Sequence, residues 1–279
     1  MTVCTILVYY GAKGKVTLGF SVRTGMNKNV ITIYKNIGET PLEALERLRR
    51  ERPEYQNETL SYIGRLDPMA EGAMLILVGE ENKNREAYLS LDKEYECEVL
   101  FGVATDTHDL LGLVTETAIA DFVTKEILEE KLKVFLGKRM QEYPAYSSKP
   151  VSGPTPDGSG RVNKSLHEWA REGRLGEIEM PKKEIEIYSI ALTDFYQLQK
   201  DRLAEIIAER IALVHGDFRQ KDILARWHEV LAGMSFTSFT IAKLKISCSS
   251  GTYIRVIASE LGKQLGVPAI AMSIKRTKM

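Results

Sequence analysis

The sequence predicts an α+β fold, and three observations predict it. Segments that alternate with a period of two, KEYECEVLF (93–101) and FTIAKLKISCSS (239–250), sit beside segments of helical period, ETPLEALERL (39–48) and TKEILEEKLKVFLG (124–137). The two kinds mix without the regular strand–helix–strand rhythm of a doubly wound sheet. Hydrophobic residues make up 44% and charged residues 27% of the 279 positions, the balance of a chain that buries a core.

In order along the chain, the first 25 residues are hard to integrate. Met26 precedes the first convincing element, so they read as an accessory hairpin or as a start-site artefact, and 1–29 is set aside as an N-terminal extension. VITIY (30–34) is a short strand. ETPLEALERL then opens a helix: Thr40 caps it, Pro41 suits the first turn, Glu43 completes a capping box, and Leu42, Leu45 and Leu48 are expected on one face. MLILV (74–78) has the length and branching of a buried strand. In KEYECEVLF, Tyr95, Cys97, Val99 and Phe101 share the core side. The helix at 124–137 carries Leu128, Leu132, Phe135 and Leu136 on a stripe and takes Gly137 as its stop. PVSGPTPDGSGRVN (150–163), dense in Gly, Pro and Ser, is expected to be loop. LHEWAREG (166–173) is a short helix, and IEIYSIALTDFY (185–196) a strand. Residues 200–233 read as two helices punctuated by Gly216 and closed by Gly233. In 239–250, Ala242, Leu244, Ile246 and Cys248 face one way, and Ile254, Ile257, Leu261 and Leu265 follow at helical spacing. Residues 30–279 are thus expected to form one domain with a helical insertion at 200–233.

Composition narrows the function. Lys and Arg number 38 against 38 Asp and Glu, so net charge gives no support to a nucleic-acid partner. Two local clusters are basic, RLRRER (47–52) and the tail holding Lys263, Lys275, Arg276 and Lys278. No apolar run approaches the ~20 residues that span a bilayer, and the N-terminus lacks the pattern of a signal peptide. Cys4, Cys97 and Cys248 are few and far apart, which indicates neither a disulfide framework nor a zinc site. A reducing cytoplasm is the expected location. TDTHD (105–109) matches no metal-loop spacing and reads as a turn, the four histidines are scattered, and no phosphate-binding glycine motif occurs. Carboxylate-centred chemistry without a metal or organic cofactor remains.

Three polar residues are unexplained by their local setting. In GRLDP (64–68), Pro68 biases Asp67 away from helix, which puts its carboxylate on a loop at the lip of the core, as a turn former or a working group. Tyr95 lies on the apolar side of a strand, and its hydroxyl needs a partner. Arg255 falls in the first turn of the last long helix, where a cation opposes the helix dipole and calls for an anion, structural or catalytic.

The chain resembles the TruB-type pseudouridine synthases in five blocks that occur in the same order from about Val30 onward. YIGRLDPMAEGAMLILVGEENK resembles the family's Gly-x-Leu-Asp-Pro block, and KEYECEVLFGVATDTHDLLG its Lys-x-Tyr strand and Thr-Asp-Thr-x-Asp-x-x-Gly loop. YPAYSSKPVSG with LHEWAREG, CSSGTYIRVIASELGKQLG, and SIKRTK resemble its remaining segments. The resemblance implies a pseudouridine synthase catalytic domain with a central mixed, largely antiparallel sheet flanked by helices. It implies isomerisation of a uridine in the T arm of tRNA, at position 55, after base flipping and without a cofactor. It assigns catalytic positions to Asp67, Tyr95 and Arg255, and substrate-binding positions to Lys35, Tyr62, Gly64, Arg65, Tyr253, Ile274 and Arg276. The expected partner is the tRNA T-arm stem-loop, bound by a monomer with no membrane contact, through a basic groove of Lys35, Arg65, Lys275 and Arg276.

Several positions depart from the family pattern. Tyr62 stands where the family has His, Arg65 where it has a small Thr, and Asn36 where it has Pro. The chain stops just after Thr277, which leads us to expect that the RNA-binding C-terminal domain of many relatives is missing. Two other readings stay open. One is an RNA-binding or RNA-folding protein without catalysis. The other is a glycosidase, which needs a second carboxylate beside Asp67, with Glu71 the local candidate.

Overall fold

In a computed structural model, which describes the backbone of residues 4–10, 16–22 and 29–279 and side chains from residue 29 onward, these elements assemble around one large sheet. Cys4–Tyr10 (β1) pairs antiparallel with Val16–Val22 (β2). Val30–Lys35 (β3), Pro41–Glu51 (α1), Leu60–Ile63 (β4) and Ala70–Val78 (β5) follow. Next come Arg85–Leu89 (α2), Lys93–Phe101 (β6), Val103–Thr105 (β7) and Val114–Thr117 (β8). Lys125–Leu132 (α3), Gly137–Glu142 (β9), Pro150–Pro154 (β10), Arg161–Ser165 (β11) and Leu166–Arg171 (α4) complete the middle of the chain. The last third holds Lys182–Gln199 (β12), Lys200–Ala212 (α5), Gln220–Gly233 (α6), Ser238–Cys248 (β13), Ile254–Leu265 (α7) and Ala269–Lys278 (β14).

The sheet runs β3-β5-β14-β6-β13-β12-β9, with β4 also paired to β5. Only β14 and β5 run parallel; their neighbours pair antiparallel, giving the mixed, largely antiparallel sheet that was expected. Tyr95, Cys97, Val99 and Phe101 of β6 and Ala242, Leu244, Ile246 and Cys248 of β13 share one core with Leu128 and Leu132 of α3 and Ile254, Ile257 and Leu261 of α7. A second core, on residues of opposite parity, joins Leu100, Phe239, Ile241, Ile270 and Met272 to the buried faces of α5 and α6. A third packs α1 on β5 through Ala44, Leu45, Leu48, Met74 and Ile76.

The Thr40–Glu43 capping box forms in both directions, with Glu43 N donating to Thr40 Oγ1 and Thr40 N to Glu43 Oε2. Leu42 is a correction: it is 60% exposed, because the buried stripe of α1 runs through Ala44, Leu45 and Leu48. Residues 150–163 are a second correction. β10 and β11 form an antiparallel hairpin there, closed by a tight turn in which Thr155 Oγ1, Ser159 N and Ser159 Oγ donate to Asp157 Oδ1. Its Gly and Pro density reflects the turn and not an absence of strands. Gly137 begins β9 instead of closing a helix tail, and β14 was not anticipated from its sequence.

Candidate active site

Asp67 sits on the loop entering β5, and that loop is bolted down from behind. Ala70 N donates to Asp67 O at 3.0 Å and Gly38 N to Pro68 O at 2.8 Å. Lys35, fully buried, donates through Nζ to Ala70 O at 2.6 Å and Asn36 O at 3.0 Å. Arg276, also buried, donates from Nε to Ala73 O at 2.6 Å and from Nη2 to Gly64 O at 3.0 Å. The expected phosphate groove therefore needs correction. Lys35 and Arg276 are spent on backbone carbonyls, and burial, above all other influences, lowers the Lys35 pKa to about 8. Arg65 alone of the expected four is exposed at the pocket rim, where it donates to Ser148 Oγ.

Arg255, at the start of α7, crosses from the far end of the sequence. Its Nε donates to Asp67 Oδ2 at 2.8 Å, Nη1 to Thr107 O at 2.8 Å and Nη2 to Tyr146 O at 2.9 Å. A guanidinium supplies that three-way fork and an ammonium cannot. The Arg255 side chain is 3% exposed and that of Asp67 36%, so the cation is held in the wall and the carboxylate presented to the cavity. The Arg255–Asp67 bond has the length of a charge-assisted hydrogen bond.

The cavity holds about 700 Å³. Asp67, Tyr95, Arg255, Tyr62, Gly64, Arg65, Tyr253, Ile274 and Arg276 all line it, whereas Lys35 and Lys275 do not. Tyr95 on β6 stands opposite Arg276 on β14. Burial raises the Tyr95 pKa, with the Arg276 charge working against that rise, so its hydroxyl keeps its proton. The Arg276 guanidinium interacts with the Tyr95 hydroxyl, although among the described residues its Nη1 meets no partner at full hydrogen-bond geometry. Burial and the Arg276 charge together lower the Lys93 pKa to about 8 at the same wall.

The structure also brings in residues the sequence reading missed. Asp109, read as part of a turn, lines the cavity as a buried carboxyl, and desolvation raises its pKa to about 6 against the opposing pull of Arg255 and the Thr107 hydrogen bond. Its Oδ1 accepts from Thr107 Oγ1 at 2.7 Å and Leu111 N at 2.9 Å. The loop closes so tightly that a Cβ on Gly112 would lie 2.3 Å from Thr107 Oγ1. TDTHD is thus both a turn and a wall. Tyr143, Tyr146, His167 and Arg171 add a rim, and Phe218 and Arg219 reach it from the turn between α5 and α6. Glu71 is not at the cavity; its carboxylate accepts from the Tyr34 hydroxyl at 2.6 Å, so it is not the second acid of a glycosidase.

With this geometry in place, comparison with known proteins is specific. Residues 52–208 match the model of the TruB family pseudouridylate synthase N-terminal domain. The tRNA pseudouridine synthase B of Oceanobacillus iheyensis is 30% identical over 250 residues, which are 89% of this chain and 64% of that protein. That of Lactobacillus johnsonii is 30% identical over 254 residues, 90% of this chain and 68% of that protein. A chain in the crystal structure of a Cbf5-Nop10-Gar1 complex superposes with a TM-score of 0.50 at 16% identity, covering 89% of this chain and 48% of its own, and so shares the fold. Among the described residues no helix is long and apolar enough to cross a membrane. A matched span longer than half the chain, with Asp67 and Tyr95 inside it, makes this protein a member of the TruB family of pseudouridylate synthases.

Proposed function

We propose that the protein isomerises a uridine of tRNA to pseudouridine, at position 55 of the T arm, as a monomer in the cytoplasm and without a cofactor. The observation that carries this reading is the Asp67–Arg255 pair at 2.8 Å, presented to a cavity with Tyr95 and Ile274 in its wall. The reaction breaks the N1–C1′ bond of uridine and joins C1′ to C5, with the C5 proton lost and a proton taken up at N1. It needs an ionised carboxylate at the sugar, either attacking C1′ or steering deprotonation at C2′. The Arg255 guanidinium holds the Asp67 carboxylate in place through the 2.8 Å bond from Nε to Oδ2. The target base leaves its stack to enter the cavity, and Tyr95 offers an aromatic face in exchange. Tyr62, Arg65 and Tyr253 stand at the same cavity as further binding groups.

The test is incubation with a uridine-containing T-arm hairpin, followed by chemical mapping of pseudouridine. Asp67→Asn preserves shape and removes charge, so it should abolish product while hairpin binding persists. Tyr95→Phe should retain binding and lose any proton-transfer contribution. Full activity in Asp67→Asn would overturn the mechanism. Binding without product in the unsubstituted protein would favour a non-catalytic RNA-binding role.

A further inference from the structure

The α5–α6 hairpin interrupts the β12–β13 connection, and its tip reaches the cavity. Three features fix that tip. Arg171 Nη2 donates to Asp217 O at 2.5 Å. Gln220 Nε2 donates to Val214 O at 3.1 Å and Gly216 O at 2.8 Å. The Leu213 backbone packs so closely on the turn after β3 that a Cβ on Gly38 would lie 2.3 Å from Leu213 O.

Arg219, at the start of α6, adopts φ 63°. Only one other non-glycine among the described residues has positive φ, and it is His108, two positions after Asp106. Such a conformation in a residue with a Cβ persists only where its surroundings hold it. Its backbone N donates to Asp217 Oδ1 at 3.3 Å, and its side chain adds the long-range anchors. Nη1 donates to Asp106 Oδ2 at 2.7 Å and Nη2 to Asp106 Oδ1 at 3.3 Å, while Cζ lies 4.4 Å from the centre of the Tyr146 ring. Asp106 also accepts from Leu113 N at 2.9 Å, which ties both ends of its loop together.

These two partners matter because of their positions. Arg255 sends Nη1 to the carbonyl of Thr107, next to Asp106, and Nη2 to the carbonyl of Tyr146 itself. The two acceptors that orient Arg255 therefore belong to the two segments that Arg219 grips. We propose that Arg219 is a positioning residue: it braces the Asp106–Thr107 and Tyr146 carbonyls from outside, and so sets the direction in which Arg255 presents Asp67. The inserted hairpin is the arm that delivers this brace. The inference rests on the uridine-isomerising reading of the site.

The test compares Arg219→Gln, Arg219→Lys, Asp106→Asn and the Arg219→Gln/Asp106→Asn double variant on the T-arm hairpin. A loosened constellation should lower kcat by roughly tenfold or more, with KM and hairpin affinity changed less than about twofold. Arg219→Lys should recover part of the activity. Asp106→Asn should match Arg219→Gln, and the double variant should be no slower than either, since both break one link. Hydrogen exchange of the Arg255 Nε–H, followed by NMR, should accelerate in each single variant. Unchanged kcat, additive losses, or unchanged protection of that N–H would overturn the proposal. If Arg219→Gln fails to fold, Asp106→Asn carries the comparison. If the unsubstituted protein forms no pseudouridine, the activity reading fails, and the Arg255 exchange alone decides the brace.

Discussion

Asp67 and Asp109 show how two carboxylates at one cavity acquire different characters. Asp67 receives Arg255 Nε directly, whereas Asp109 is buried and bonded to its own loop. Its pKa of about 6 lies above the ordinary carboxylate value of 3.8, so between those limits the folded state binds more protons than the unfolded chain. The stability this group contributes is present below about pH 4 and is lost as pH rises through 6, by on the order of 3 kcal/mol in all. Asp109→Asn keeps an acceptor for Thr107 and Leu111 but does not titrate. Its stability relative to the unsubstituted protein should rise between pH 4 and pH 7 in urea melts. A constant difference across that range would mean that Asp109 titrates normally.

At the scale of elements, the hairpin of α5 and α6 covers one face of the sheet. Its buried faces, Leu203, Ile207, Ile211, Ile223, Trp227 and Leu231, lie against Leu100, Phe239, Ile241, Ile270 and Met272 of the sheet. Trp227 Nε1 donates to Leu110 O at 3.3 Å, and Arg210 Nη1 to Met272 O at 2.5 Å. The hairpin therefore closes a core. Deleting 200–233 would uncover large apolar side chains worth about 1.5–3 kcal/mol each, in sum comparable with a whole domain's ~5–15 kcal/mol. The deletion variant should therefore be insoluble or bind a hydrophobic dye without a cooperative melt. A soluble variant with a sharp transition would show that this sheet face needs no cover.

Across the whole molecule, zero net charge leaves the proposed RNA affinity to local cations. Burial of Lys35 and Arg276 removes two of the four expected groove residues, while Arg65 and Arg171 remain at the rim of the cavity. Arg65→Glu should weaken T-arm binding and reduce the slope of log affinity against log salt by about 0.7–0.9 for each phosphate it no longer neutralises. An unchanged slope would place the phosphate path elsewhere. Arg276→Glu is a different experiment, since it leaves Ala73 O and Gly64 O without their donor and places a carboxylate in the wall; its expected result is a lower Tm, read by thermal melt.

The sequence by itself determined the alternation of β6 and β13, the capped start of α1 and the two helices of 200–233, and it marked Asp67, Tyr95 and Arg255 as unexplained by their local setting. Each is a local matter of side-chain period, capping chemistry or a polar group in an apolar setting. It misjudged 150–163, because Gly and Pro density marks a turn without saying how much strand flanks it. Tertiary structure alone decided which cations face solvent, since Lys35 and Arg276 differ from Arg65 only in what lies above them. It also decided that Asp109 belongs to the cavity wall and that Arg219 reaches Asp106 across 113 positions of chain. Those meetings join segments far apart in sequence, and no local preference encodes a meeting that only the packed sheet creates.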